Sequence, residues 1–197
     1  TGMDAKTLGR KMDHINLALK QEPCQSDFDK IKLNHCALPE VDLSDIKLKT
    51  DCIGKIIEAP IFISSMTGGP LQAESINIHL AEGCAELGLA MGVGSQRVDI
   101  ESGHTFGLDI AIRRAIGSQP LFANYGVANL MQLKDPSALQ GIIDRIEADA
   151  LILHLNPMQE VFQKNGDTNW SGALRAIETV SKWCPIPIIA KEVGFGV

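Results

Sequence analysis

From residue 60 onward the chain alternates between two periodicities, and that alternation restricts its fold more than any other feature. Short apolar runs of β type occur at 59–66 (APIFISSM), 89–94 (LAMGVG), 120–126 (PLFANYG), 150–155 (ALILHL) and 186–193 (IPIIAKEV). Between them, apolar residues recur at helical offsets of three and four. These are Ile76, Leu80, Cys84 and Leu87 in 72–87, then Leu108, Ile112 and Ile116 in 105–116. Leu139, Ile142, Ile143 and Ile146 do the same in 137–147, and Trp170, Leu174, Ile177 and Trp183 in 170–183. Gly88 follows the first helix and Pro136 opens the third, as helix stop and start signals do. Strand and helix in strict turn predict parallel strands joined by right-handed crossovers.

Two α/β architectures satisfy that pattern. A doubly wound sheet carries a glycine fingerprint after its first strand and an acidic residue further on for a ribose. The first turn here, Met66-Thr67-Gly68-Gly69, lacks that spacing. A (β/α)8 barrel instead places functional groups at the carboxyl ends of many strands, where the loops form one rim. Polar groups do follow every β run: Ser65 and Thr67; Ser95, Gln96 and Arg97; Asn124; His154 to Glu160; and Lys191-Glu192. The expected fold is therefore α/β, a TIM (β/α)8 barrel. A full barrel takes about 250 residues, and only five β/α units can be drawn within these 197 residues. The expected organisation is an N-terminal extension and barrel-bottom cap over 1–59, followed over 60–197 by the N-terminal part of one barrel. The C-terminal part is expected to be missing, making the chain a portion of a longer protein.

Composition removes several classes of function. A formal net charge of −6 offers no basic face to displace counterions, which argues against nucleic-acid binding. Aromatics at 5% leave little for base stacking. No apolar run is long enough to span a bilayer, so a soluble, cytoplasmic protein without membrane contact is expected. Cys24, Cys36, Cys52, Cys84 and Cys184 are odd in number and scattered, which fits reduced thiols rather than a disulfide framework or zinc site. The sequon at 169–171 is accordingly taken as chance.

Several rim residues have more than one reading. Lys191 could form a Schiff base, set positive charge against an electron-rich cofactor ring, or snorkel to solvent. Arg97 could grip a phosphate through its guanidinium fork or make an ordinary surface ion pair. Arg10, Lys11 and His14 share one side of a helical segment, a solvated face or an anion site. His154 and Asn156 are two apart and point to one face of an extended strand. Pro157 is expected to break that strand and open a loop bearing Gln159 and Glu160. One carboxylate among neutral donors suits Mg²⁺, which takes few protein carboxylates beside phosphate; Glu160 as general base is the competing reading.

The blocks RKMDH (10–14), SSMTGG (64–69), GVGSQR (92–97), ANYG (123–126), HLNPMQE (154–160) and KEVGFG (191–196), in this order, resemble the type 2 isopentenyl-diphosphate isomerases, an FMN-dependent family. The resemblance implies a flavin-binding TIM barrel that interconverts isopentenyl and dimethylallyl diphosphate by a 1,3-allylic proton shift. It further implies reduced FMN, NAD(P)H as reductant, Mg²⁺, and a homotetramer or homo-octamer. Carried onto this chain, Ser65, Met66, Thr67, Ser95, Asn124 and Lys191 would bind the cofactor. Arg10, Lys11, His14, Ser95, Gln96, Arg97, His154, Asn156 and Gln159 would bind substrate. Gln159, His154 and Lys191 would serve catalysis, and Glu160 would hold the metal. An FMN-dependent 2-hydroxy-acid oxidase or dehydrogenase is the alternative from the same fold. A non-catalytic fragment acting only as an assembly partner is the alternative from another class. The family's FMN-phosphate segments follow the fifth strand, so this chain by itself is expected to bind FMN poorly and to be inactive.

Overall fold

The computed structural model describes residues 16, 17, 20, 22, 27–65, 71–163 and 166–194. The expectations placed on Arg10, Lys11, His14, Met66 and Thr67 lie outside these residues.

Five strands form one all-parallel sheet: β3 (Phe62–Ile63), β4 (Ala90–Gly92), β5 (Leu121–Gly126), β6 (Ala150–His154) and β7 (Ile188–Lys191). Their spatial order equals their chain order. A doubly wound sheet must reverse its strand order at a switch point, whereas a barrel winds one way throughout. The observed order is the barrel's.

The connecting helices are α1 (Leu71–Leu87), α2 (Arg97–Ser102), α3 (Ile110–Ile116), α4 (Val127–Leu130), α5 (Ala138–Arg145), α6 (Pro157–Phe162) and α7 (Ala173–Ser181). Alternation along the strands divides the core into two layers. Met91, Leu121, Ala123, Tyr125, Leu151 and Leu153 face the helices and pack on Ile112, Ile116, Ile142 and Val180. Each such aliphatic side chain, once buried, is worth about 1.5–3 kcal/mol. Ala90, Phe122, Ala150 and Ile152 point the opposite way and form a smaller inner cluster with Ile57.

Three features differ from the sequence expectations. The helix drawn over 105–116 begins at Ile110, because the Asp109 carboxylate caps it by accepting from the Ala111 N–H at 2.8 Å. Pro157 starts α6 rather than a loop; it sits in the first turn, where a helix needs no amide donor. Within the irregular stretch before residue 60, β1 (Thr50–Cys52) and β2 (Lys55–Ile57) form an antiparallel hairpin. Its two-residue turn uses Ile53 and Gly54 at φ 56° and 77°, the positive pair that tight hairpins require.

That hairpin delivers Ile57 to the inner cluster and Lys55 to a charge network below the strands. Lys55 Nζ lies 2.6 Å from Asp149, and Arg113 lies 2.8 Å from its other oxygen. The Leu121 N–H donates to the same carboxylate at 2.9 Å. Burial alone would raise the Asp149 pKa. Lys55, the Leu121 amide and Arg113 outweigh burial and hold it below the usual carboxylate value. One carboxylate thus ties the hairpin, α3 and the starts of β5 and β6 together, at the end of the sheet opposite the polar rim.

Candidate functional site

The site is built where the inner face meets the carboxyl ends of the strands. Strand register aligns Gly126 with His154 and His154 with Lys191, so these three form one row across β5, β6 and β7. One step below, Asn124 is in register with Ile152, and Ile152 with Ile189. Asn124 alternates with the inner Phe122 and therefore shares its face.

His154 Nδ1 lies 2.9 Å from Asn124 Oδ1. A carboxamide oxygen can only accept, so Nδ1–H donates, which orients the ring and aims Nε2 elsewhere. Gly126 makes room for the ring: a Cβ there would stand 2.8 Å from His154 Nε2 and 3.0 Å from Cε1. Gln96 supports the pair from behind. Its Oε1 accepts from the Asn124 N–H at 3.2 Å, its Nε2 donates to the Ile142 carbonyl at 3.3 Å, and its own N–H donates to the Asn124 carbonyl at 2.9 Å. Gln96 is buried, at 1% exposure. Both ends of its carboxamide are engaged by backbone, and it acts as a brace between β5 and α5.

Ser65 follows β3 onto this rim. Its Oγ is buried without a hydrogen-bond partner among the described residues, and it occupies the space a side chain at Gly92 would fill. Lys191 Nζ donates to the Glu192 carbonyl at 3.1 Å. Burial depresses the Lys191 pKa, and the Glu192 charge offsets this only in part. A buried hydroxyl lacking a partner and a desolvated ammonium on one face suit a flat, electron-rich group. Ser65, Asn124 and Lys191 are described residues that could hold it, and Ser95 remains an expected fourth.

Arg97 opens α2 just after β4. Its Nε pairs with Glu101 one turn on at 2.6 Å, and its backbone N–H donates to Ser95 Oγ at 3.4 Å. Burial opposes its charge, but the Glu101 hydrogen bond and the charges of Glu101 and Asp167 raise its pKa. The ion-pair reading of Arg97 is thus present in the structure, and the guanidinium also keeps a position on the rim. Neighbouring Tyr125 is pushed up to about 12, by burial first and the Glu101 charge second.

The polar end of HLNPMQE folds into one cluster because α6 brings its third and fourth residues back over Asn156. Asn156, 5% exposed, donates through Nδ2 to Gln159 Oε1 at 3.1 Å and to Glu160 Oε1 at 2.8 Å. The second Glu160 oxygen accepts from the Asp167 N–H at 2.9 Å. A carboxylate with one such donor per oxygen still has lone pairs for a cation. Among the described residues no group of three or more His, Cys, Asp and Glu gathers as a metal cage. Mg²⁺ held by one carboxylate, water and phosphate oxygens fits such a donor set.

Sequence reasoning missed Gln132 and Asp167, which close this cluster. Gln132 Nε2 donates to Asp167 Oδ1 at 2.7 Å. Both line a cavity of about 390 Å³ between α4 and the 166–171 segment. The pairing joins residues 35 apart in the chain, and neither has a motif to mark it.

A one-way parallel sheet with helices on one face and polar groups on the inner rim defines part of a TIM barrel. Comparison with known proteins places it further: the chain belongs to the FMN-dependent dehydrogenase family, whose model matches residues 16–153. Solved structures of mandelate oxidase share the fold. One with (S)-mandelic acid is 13% identical with a TM-score of 0.50, covering 79% of this chain and 48% of its own. Another, holding a monooxide FMN adduct, is 12% identical with a TM-score of 0.51 over the same shares. Sequence similarity is much greater to curated proteins named isopentenyl-diphosphate delta-isomerase. That of Pseudescherichia vulneris is 44% identical over 98% of this chain and 57% of its own length. That of Vibrio parahaemolyticus is 46% identical over 93% and 54%. The chain spans about half the length of these relatives. No helix among the described residues is long and apolar enough to cross a membrane.

Proposed function

We propose that the protein to which this chain belongs interconverts isopentenyl and dimethylallyl diphosphate, using bound FMN and Mg²⁺. The observation that carries this reading is the inner-rim row of Gly126, His154 and Lys191 above Asn124, beside the Asn156–Gln159–Glu160 cluster. It supports two adjacent functions: holding a flat cofactor ring, and holding a metal-bound anion. Relatives at 44–46% identity carry the isomerase name, which supports this over oxidation of a 2-hydroxy acid.

A 1,3-allylic shift adds a proton at one end of an unactivated alkene and removes another two carbons away. Reduced FMN, when bound, supplies the proton-transfer chemistry that ordinary side chains near pH 7 lack. The chain's own residues bind and orient. Ser65 and Asn124 offer hydrogen bonds to the ring, and Lys191 sets positive charge beside it. His154, its ring oriented by Asn124, contacts the diphosphate as an imidazolium donating through Nε2, with Arg97 as a second cationic contact. Glu160 would hold Mg²⁺ for the diphosphate, and Gln159 would sit by the substrate. Met66, Thr67, Arg10, Lys11, His14 and Ser95 complete the proposed contacts. NAD(P)H as reductant and a tetrameric or octameric assembly belong to the same reading, as do the cap role of 1–59 and a cytoplasmic location.

The test is Lys191→Ala in the full natural chain, followed by FMN fluorescence titration and an isomerisation assay. Weaker FMN binding and lost isomerisation are expected; unchanged affinity and turnover would refute the role of Lys191.

A further inference from the structure

Glu160 is oriented from two directions, and only one of them belongs to its own helix. Asn156 reaches Oε1 from the start of α6. Oε2 is reached by the backbone N–H of Asp167, seven residues on. That amide needs the chain to pass very close to α6, and Gly166 permits it. A Cβ at Gly166 would collide with the Glu160 carbonyl oxygen, with the carbonyl carbon at 2.7 Å. Backbone atoms cannot yield as a flexible side chain can, so any larger residue must push the turn outward. Two bonds anchor the turn from outside. Gln132, just past α4, donates to the Asp167 carboxylate at 2.7 Å, and Trp170 Nε1 donates to the Asp167 carbonyl at 3.0 Å.

We propose that the Gly166–Asp167 turn, anchored by Gln132, is a positioning device that sets the Glu160 carboxylate for a divalent cation. This rests on the reading of Glu160 as the metal-holding residue. The amide on Oε2 and the Asn156 amide on Oε1 together fix the plane of the carboxylate and leave its remaining lone pairs in a set direction. Removing either support lets the side chain rotate and spread its charge over several rotamers. Outer-shell partners of this kind typically contribute about 10–100-fold in metal affinity. The Asp167 carboxylate also favours the charge of Arg97.

The test uses the full natural chain with Mn²⁺ as the probe, titrated by electron paramagnetic resonance in the presence of inorganic pyrophosphate. Thermal unfolding of each variant is recorded alongside. Gly166→Ala and Gln132→Ala are expected to weaken Mn²⁺ binding about 10-fold. Asp167→Asn keeps both the backbone amide and an oxygen for Gln132, and is expected to retain wild-type affinity where Asp167→Ala loses it. Glu160→Gln is the reference for loss of the ligand itself. If Gln132→Ala and Gly166→Ala bind Mn²⁺ as wild type does while Glu160→Gln does not, the positioning role is wrong and the metal reading stands. If Glu160→Gln also binds normally, the metal reading falls and the proposal with it. Should Gly166→Ala fail to fold, the Gln132→Ala, Asp167→Ala and Asp167→Asn series decides the matter alone.

Discussion

His154 shows how much one hydrogen bond can specify. Without Asn124 its ring loses the acceptor that orients it; with Asn124 Oδ1 at 2.9 Å, Nδ1–H donates and the ring is held. Asn124→Ala is expected to lower kcat/KM for isopentenyl diphosphate about 10–100-fold, the worth of a hydrogen bond to a group bearing charge in the complex. Steady-state kinetics at saturating FMN check this. Lys191 supplies a pH signature. Its folded pKa lies below the ordinary value because burial disfavours the ammonium. Attraction to an anionic ring is therefore complete below that lowered pKa and lost as pH rises through it. Titration of reduced FMN against pH should show affinity falling on the alkaline side, and Lys191→Met should abolish that slope. At this scale the sequence was partly legible. The alternation of Phe122, Asn124 and Gly126 shows which residues share a face. That Gln96 turns inward was not legible, because its partners, the Asn124 amide and the Ile142 carbonyl, are defined only once β5 and α5 are packed.

Among the elements, the long periodic helices α1 and α5 and strands β5 and β6 could be drawn from the sequence, since their apolar residues repeat often enough to fix a period. The hairpin could not: each strand has three residues, too few for a pattern. Its turn is Ile-Gly, where Asn-Gly or Asp-Gly gives the usual signal. Helix α6 was hidden by Pro157, which marks a helix start as readily as a loop. The consequence for the site is direct, because only a helix returns Gln159 and Glu160 to Asn156. Asp149 joins the hairpin to the sheet, and its stabilising effect has a definite sign in pH. Its folded pKa lies below the unfolded value of about 3.9, so the contribution is present above that value and is lost as pH falls through the folded pKa. Asp149→Asn is expected to destabilise the fold by about 2 kcal/mol near neutral pH. It should also flatten the acid limb of stability below about pH 4, as read by urea unfolding at several pH values.

For the molecule as a whole, the five-stranded sheet supplies five of the eight strands that a closed barrel requires. β3 and β7 each have one strand neighbour among the described residues. Large apolar side chains such as Phe162 and Leu174 stand 82% and 81% exposed. Unpaired edges and exposed apolar groups favour association, so the 197-residue chain in isolation is expected to self-associate, as light scattering would show. The fold class was legible because strand and helix alternate without a fingerprint glycine turn. The site was legible only as clusters at strand ends; register then joined His154 to Lys191 across chain distances that no local pattern spans. On the proposed reading, this rim binds reduced FMN against a metal-held isoprenyl diphosphate. The measurement that tests it most directly is conversion of isopentenyl to dimethylallyl diphosphate by the full natural chain, with FMN and Mg²⁺, before and after flavin reduction. Turnover is expected only with reduced flavin and Mg²⁺ present; turnover with flavin absent or oxidised, or none under any of these conditions, would overturn the proposed function.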